Sequence, residues 1–324
     1  MAESRNWAFP AELQADPEEF EFDLETALDA VVSLRAEIPA DAFTAATLGT
    51  ERTGNGVVIG KDGLILTIGY LITEASEIWL TSRRGAELPG HALAYSFASG
   101  FGLVQPLGRL DVPALERGSA AACRMGEWVI VAGQGGRTHS LKAEVIGKHE
   151  FAGYWEYVLD EALFTAPAHP QWGGAALLGE DGKLLGIGSL LVQEQRGGEA
   201  VEGNMFVPID LLEPILDDLL RLGRPAGPPR PWLGIYVTVV EEQAVIAGLA
   251  PGGPGERAAL KVGDRVLEVA GRRVSGLAEL FREIWKIGAA GVEVPLTVLR
   301  RGSTSRLRLH SADRQDFLKK PHLH

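Results

Sequence analysis

The chain has 324 residues, enough for two or three domains, each with its own core. Its formal net charge of −12, with Lys and Arg scattered apart from Arg300, Arg301, Arg306 and Arg308, argues against nucleic acid as a general partner. A single cysteine, Cys123, rules out an intramolecular disulfide, and 40 glycines suit a mostly β protein with many tight turns.

Residues 1–16 carry one basic residue, Arg5, and no apolar core segment, so they do not read as a signal peptide. As written the chain reads as cytoplasmic, or as periplasmic if a signal has been removed. No apolar run approaches the length of a membrane span. Residues 1–23 are acidic and contain Trp7, Phe9, Phe20 and Phe22, which reads either as a loose arm or as a docking segment. A short helix is predicted over 24–30 and a first strand over 31–38, followed by a loop over 39–53. Two apolar runs flank Lys61-Asp62-Gly63 and predict a hairpin. Short strands are predicted over 78–82, 92–95, 103–107, 128–132 and 141–147. The spacing of short strands and turns is that of an all-β barrel. Cys123, among alanines, reads as a buried thiol.

Apolar runs at 157–163 and 175–178 bracket Ala168-His169-Pro170-Gln171-Trp172-Gly173-Gly174. Glu180-Asp181-Gly182 then signals a turn before a further run at 184–191. The two Asp-Gly hairpins echo each other weakly, which suits two similar barrels. Residues 193–203 read as a polar surface loop and 204–208 as a last strand. Apolar residues at 212, 215, 216, 219 and 220 predict one helix over 209–222, with Gly223 after its end. Residues 224–231 form a stiff proline-rich linker. The polar tail, 313–324, reads as frayed.

The loop around Trp172 resembles the active-site loop of trypsin-like serine proteases of the HtrA family, Asn-Pro-Gly-Asn-Ser-Gly-Gly-Pro-Leu, with Gly173-Gly174 retained and Trp172 at the nucleophile. Residues 232–312 resemble a PDZ domain. Trp232-Leu233-Gly234-Ile235 matches its carboxylate-binding loop, and Pro251-Gly252-Gly253-Pro254 with Ala258-Ala259-Leu260-Lys261-Val262-Gly263-Asp264 matches its long turn and short helix. The resemblance implies a mostly β fold: a trypsin-like double β-barrel over 24–223, then a PDZ domain, a β-sandwich or partial barrel with two helices. It also implies that the aromatic arm, 1–23, joins a homo-oligomer, a trimer.

In the resemblance, the catalytic His falls on Tyr70, the Asp on Gly100 and the Ser on Trp172. No Asp or Glu lies between Glu87 and Asp111. The oxyanion donor two residues before the nucleophile falls on Pro170, which has no N–H. Losing one such donor costs on the order of 100- to 1,000-fold in turnover. The resemblance therefore implies an inactive protease homologue, or pseudoprotease. Tyr70 and Trp172 are expected to face each other, either filling the old cleft edge-to-face or forming an aromatic platform for a ligand. The groove helix predicted over 277–286 offers Leu277, Phe281 and Ile284 to a peptide, whose free carboxylate would meet the N–H groups of Leu233, Gly234 and Ile235. No His/Cys/carboxylate spacing suggests a metal, and no cofactor is implied.

The function expected is binding of peptides or protein C-termini, as scaffold, regulator or chaperone. One alternative is a serine-type peptidase or hydrolase with a rewired site drawing on His169, His91, Ser96, Ser99 or Ser189. Another is a purely structural oligomer subunit.

Overall fold

A computed structural model describes residues 7–319. Two units emerge. The first comprises residues up to His149, Glu161–Ala226 and the end of the chain; the second comprises Glu150–Asp160 and Gly227–Leu318.

The first unit holds two six-stranded closed barrels. Barrel one uses β1 (Val31–Glu37), β2 (Glu51–Val58), β3 (Ile65–Ile68), β4 (Glu77–Thr81), β5 (Glu87–Tyr95) and β6 (Phe101–Pro106) in the cyclic order β1-β2-β3-β6-β5-β4. Barrel two uses β7 (Trp128–Ala132), β8 (Ser140–Gly153), β9 (Tyr157–Ala166), β10 (Ala176–Leu178), β11 (Leu184–Arg196) and β12 (Glu199–Pro208) in the order β10-β11-β12-β9-β8-β7. Read in reverse, the second order repeats the first. The similar barrels suggested by the two Asp-Gly hairpins are therefore present. The hairpins themselves are not equivalent: one joins the second and third strands of its barrel, the other the fourth and fifth. Inward-facing residues such as Leu34, Leu66, Leu80, Phe101, Val131, Leu163, Leu177 and Phe206 are fully buried, as alternation along barrel strands requires. Cys123 is buried in the second of these cores, and burial pushes its thiol up to a pKa of about 11.

Three local expectations are corrected. Residues 193–203 are not a loop: β11 and β12 continue as a ribbon with Arg196 opposite Glu199, turning at Gly197 and Gly198, both at positive φ. Both faces of the ribbon are largely exposed, so its sequence lacks an apolar alternation. The helix predicted over 209–222 is confined to α3 (Leu216–Leu222), after a single tight turn at Ile209–Leu211. Pro214 interrupts it, since proline removes an N–H and clashes with the preceding turn. The span 39–53 contains α2 (Ala45–Leu48) and the start of β2, whereas α1 (Leu24–Asp29) lies where a helix was expected.

The acidic arm, so far as it is described, runs along the second barrel. Phe9 N–H donates to the Thr138 carbonyl at 3.0 Å, and its ring packs on that barrel's core. Trp7 meets His139 and His169 with ring centroids 4.5 and 5.7 Å apart. Phe20 lies 5.3 Å from Phe22, whose ring lies where a Cβ on Gly182 would fall.

The second unit is built on a sheet of β13 (Ile235–Val240), β14 (Gln243–Leu249), β15 (Arg265–Val269), β17 (Glu293–Arg300) and β18 (Ser303–His310), with β16 (Arg272–Arg273) paired to β15. Two helices, α4 (Pro254–Arg257) and α5 (Leu277–Trp285), accompany it. Leu233, Val237, Ile246, Leu280, Phe281, Ile284, Leu296 and Leu309 form its core. The tail is ordered as far as it is described: Asp313 caps a turn at Arg314–Phe317, and Phe317 packs 4.7 Å from Trp232. Residues 320–324 lie outside the described residues.

Candidate functional site

In the first unit, the positions of Tyr70, Gly100 and Trp172 come together. Tyr70 sits on a tight turn, Gly69–Leu71, that follows β3. Gly69 is required there, because a Cβ would fall 2.2 Å from the Tyr95 ring. Its N–H donates to the Gly100 carbonyl at 2.7 Å, so Gly100 abuts the backbone just before Tyr70. Trp172 lies on the loop between β9 and β10, and the Ala175 N–H donates to its carbonyl at 3.0 Å. Gly188 lets this loop approach β11; a Cβ there would lie 2.0 Å from the Trp172 oxygen.

The Tyr70 hydroxyl donates to the Ser189 carbonyl at 2.9 Å, and the Trp172 side chain hydrogen-bonds the phenol. Tyr70 and Trp172 are each half-buried. Burial pushes the Tyr70 hydroxyl far above its ordinary range, so it keeps its proton. The two side chains thus engage one another through a polar edge. A nucleophilic hydroxyl beside a proton-accepting base is the minimum for acyl transfer of the serine-protease kind, and these two groups provide neither part.

Asn55, which belongs to no motif singled out in the sequence, fixes the loop from the first barrel. It is buried; its Nδ2 donates to the carbonyls of Gln171 at 2.8 Å and Gly173 at 3.2 Å. Its Oδ1 accepts from the Gln134 N–H at 2.8 Å. Arg52, also buried, donates to the Tyr70 carbonyl at 2.7 Å and the Thr73 carbonyl at 3.0 Å. Pro170 is exposed.

His169 is buried, and both ring nitrogens are occupied. Nδ1 accepts from the Gln171 N–H at 3.0 Å, which leaves Nε2–H to donate to the His139 carbonyl at 2.9 Å. Burial lowers its pKa to about 4. Ser96 and Ser99 are buried and accept turn N–H groups from Ser99 and Phe101. His91 stands on β5, half-buried, and Ser189 contributes its carbonyl to Tyr70. Among the described residues, no cluster of three or more His, Cys, Asp or Glu could hold a metal.

In the second unit, the loop before β13 turns three N–H groups to one point, and Gly234 reaches the φ of +69° that the turn needs. The carboxylate of Glu156 lies at that point. It accepts from Leu233 at 3.0 Å, Gly234 at 2.7 Å and Ile235 at 3.1 Å. Burial pushes this carboxylate up to a pKa of about 7, against the lowering effect of those N–H groups and of Arg314. Leu277, half-buried on α5, lines a cleft with Val239, Ala278 and Arg282. Phe281 and Ile284 are fully buried in the core cluster to which Val158 also belongs. Leu277 alone of the three therefore presents surface to that cleft.

Two antiparallel barrels around a shared loop, followed by a sheet with a carboxylate-gathering turn, define a trypsin-like peptidase domain joined to a PDZ domain. The chain is HtrA-like. Residues 54–187 match the family model for the trypsin-like peptidase domain, and residues 231–310 match that for the PDZ domain. Two relatives share the name "Probable periplasmic serine endoprotease DegP-like". The one from Halomonas elongata is 27% identical over 82% of this chain and 57% of its own length. The one from Pseudomonas fulva is 24% identical over 79% of this chain and 55% of its own. The chain thus spans little more than half the length of these relatives. Among solved structures, the HtrA-type protease AlgW with tripeptide superposes with a TM-score of 0.53 at 18% identity, covering 92% of this chain and 97% of that one. A serine endoprotease from Yersinia pestis gives 0.53 at 20% identity, with 90% and 98% covered. Among the described residues, no helix is long and apolar enough to cross a membrane.

Proposed function

We propose that the chain is a proteolytically inactive HtrA-like protein that binds peptides or protein C-termini through its PDZ domain, as a scaffold, regulator or chaperone. The observation that carries this reading is the convergence of the Leu233, Gly234 and Ile235 N–H groups on a single carboxylate. Such a turn, at the end of a strand that can pair with an added strand, suits a peptide's free C-terminus. Inactivity is supported by the residues at the triad positions, Tyr70, Gly100 and Trp172, and by Pro170 at an oxyanion position. It departs from the names of the relatives, which describe proteases. A hydrolase rebuilt on His169 finds no support in the geometry, since neither ring nitrogen is left to take a proton. The aromatic arm supports a second element of the reading, a homo-oligomer and specifically a trimer.

Two assays test the function together. Purified protein should leave casein intact and resist a serine-reactive fluorophosphonate, and Trp172→Ser should do no better, because a hydroxyl without a base stays an ordinary alcohol. Peptides with a free apolar C-terminus should bind at micromolar to millimolar level, and their C-terminal amides should bind far more weakly. Cleavage that survives removal of contaminating proteases overturns the inactive reading; equal binding of acid and amide overturns the carboxylate site.

A further inference from the structure

We propose that Tyr154–Glu156, the turn between β8 and β9, is a built-in occupant of the PDZ peptide site that an outside peptide must displace. The inference rests on the reading of Leu233–Ile235 as a carboxylate loop.

The mimicry extends beyond one side chain. Two residues before Glu156, the Tyr154 carbonyl accepts from the Val237 N–H at 2.9 Å. Ile235 and Val237 are likewise two residues apart, so both partners step by the strand period of two. This is the first rung of an added strand. A bound C-terminal peptide would place its terminal carboxylate where the Glu156 carboxylate lies. The carbonyl of its third-last residue would fall where Tyr154 places its own. Both occupants cannot be accommodated at once. The side chain supplies the carboxylate while the backbone turns away, at a Glu156 φ of +61°. Arg282 on α5 closes the arrangement with ion pairs to Glu150 and Asp160, one on each side of the turn, both at 2.5 Å. Val158 joins the unit's core and Ala152 packs against it.

Glu156 is 8% exposed, and its carboxylate gives up water for three neutral donors and a neighbouring Arg314. An incoming peptide carboxylate offers the same exchange without requiring Glu156 to remain buried. The contact therefore behaves as a competitor rather than as part of the core.

The experiment uses the full chain and a fluorescein-labelled heptapeptide, Gly-Ser-Gly-Ser-Tyr-Trp-Val, as free acid and as amide. Anisotropy should show the free acid binding Glu156→Gln at least tenfold tighter than wild type, with the amide weak on both. Asp160→Asn, which removes one flanking ion pair without altering the Leu277 cleft or the Tyr154–Glu156 turn, should also tighten binding and serves if Glu156→Gln fails to fold. Equal affinities of wild type and both variants for the acid overturn the inference and leave the peptide site standing. If folded variants bind no acid, or bind acid and amide alike, the site reading fails and the inference fails with it.

Discussion

His169 lies three residues before Trp172, where a substitute base could be sought, and its surroundings give both ring nitrogens other partners. Its pKa of about 4 has a definite sign for stability. The folded state holds the ring neutral, while the unfolded chain takes up a proton near the ordinary value of about 6.5. The contribution is therefore whole above about pH 6.5 and is lost as pH falls through about 4, a difference on the order of 3 kcal/mol. Proton NMR should show the His169 ring titrating near 4. A midpoint near 6.5 for His169 would mean that the ring is open to water and that the site has been misread. Neither behaviour could be read from Ala168-His169-Pro170 alone, because the donors and acceptors come from residues 139 and 171 in folded geometry.

At the scale of elements, the turn signals were legible and the long-range contacts were not. Asp62-Gly63, Asp181-Gly182 and Leu233-Gly234-Ile235 each announce a local conformation, since glycine alone adopts the φ required at little cost. The Tyr154-Trp155-Glu156 turn announced nothing. A carboxylate at a hairpin tip normally points to water, and its partners lie 77 to 79 residues later. Pro214 was legible in principle, yet the helix predicted from apolar spacing ran through it. The packing of the Trp172 loop on β11 gives a prediction at this scale. Gly188→Ala drives a Cβ into the Trp172 carbonyl, a backbone atom that cannot rotate aside. Overpacking of this kind costs about 1–3 kcal/mol, so the urea midpoint of the barrel unit should fall while the far-UV spectrum is kept. An unchanged midpoint would show that the loop is free to shift, contrary to the Asn55 anchoring.

For the whole molecule, the resemblance to the HtrA family, the echo of two Asp-Gly hairpins and the proline-rich stretch made two barrels plus a further unit accessible from sequence. The placement of Glu150–Asp160 with the second unit was not, because strand periodicity gives no sign of where a ribbon's tip will pack. The arm bears on assembly. Trp7, Phe9, Phe20 and Phe22 are all half-buried, so each keeps some surface beyond its contacts within the chain. Light scattering should give the mass of three chains for the full-length protein and of one chain for a variant beginning at Leu24. A single-chain mass at full length would remove the trimer.

The Glu156 contact carries a quantitative consequence, because its two partners belong to one polypeptide. A tethered ligand is present at an effective concentration set by its connection, whatever the dilution of the protein. Diluting a sample does not free the groove, and raising protein expression does not fill it further. A peptide therefore meets a threshold set by its own concentration and carboxylate. Ligands too weak to compete with the tether pass unrecorded in any assay of the intact chain.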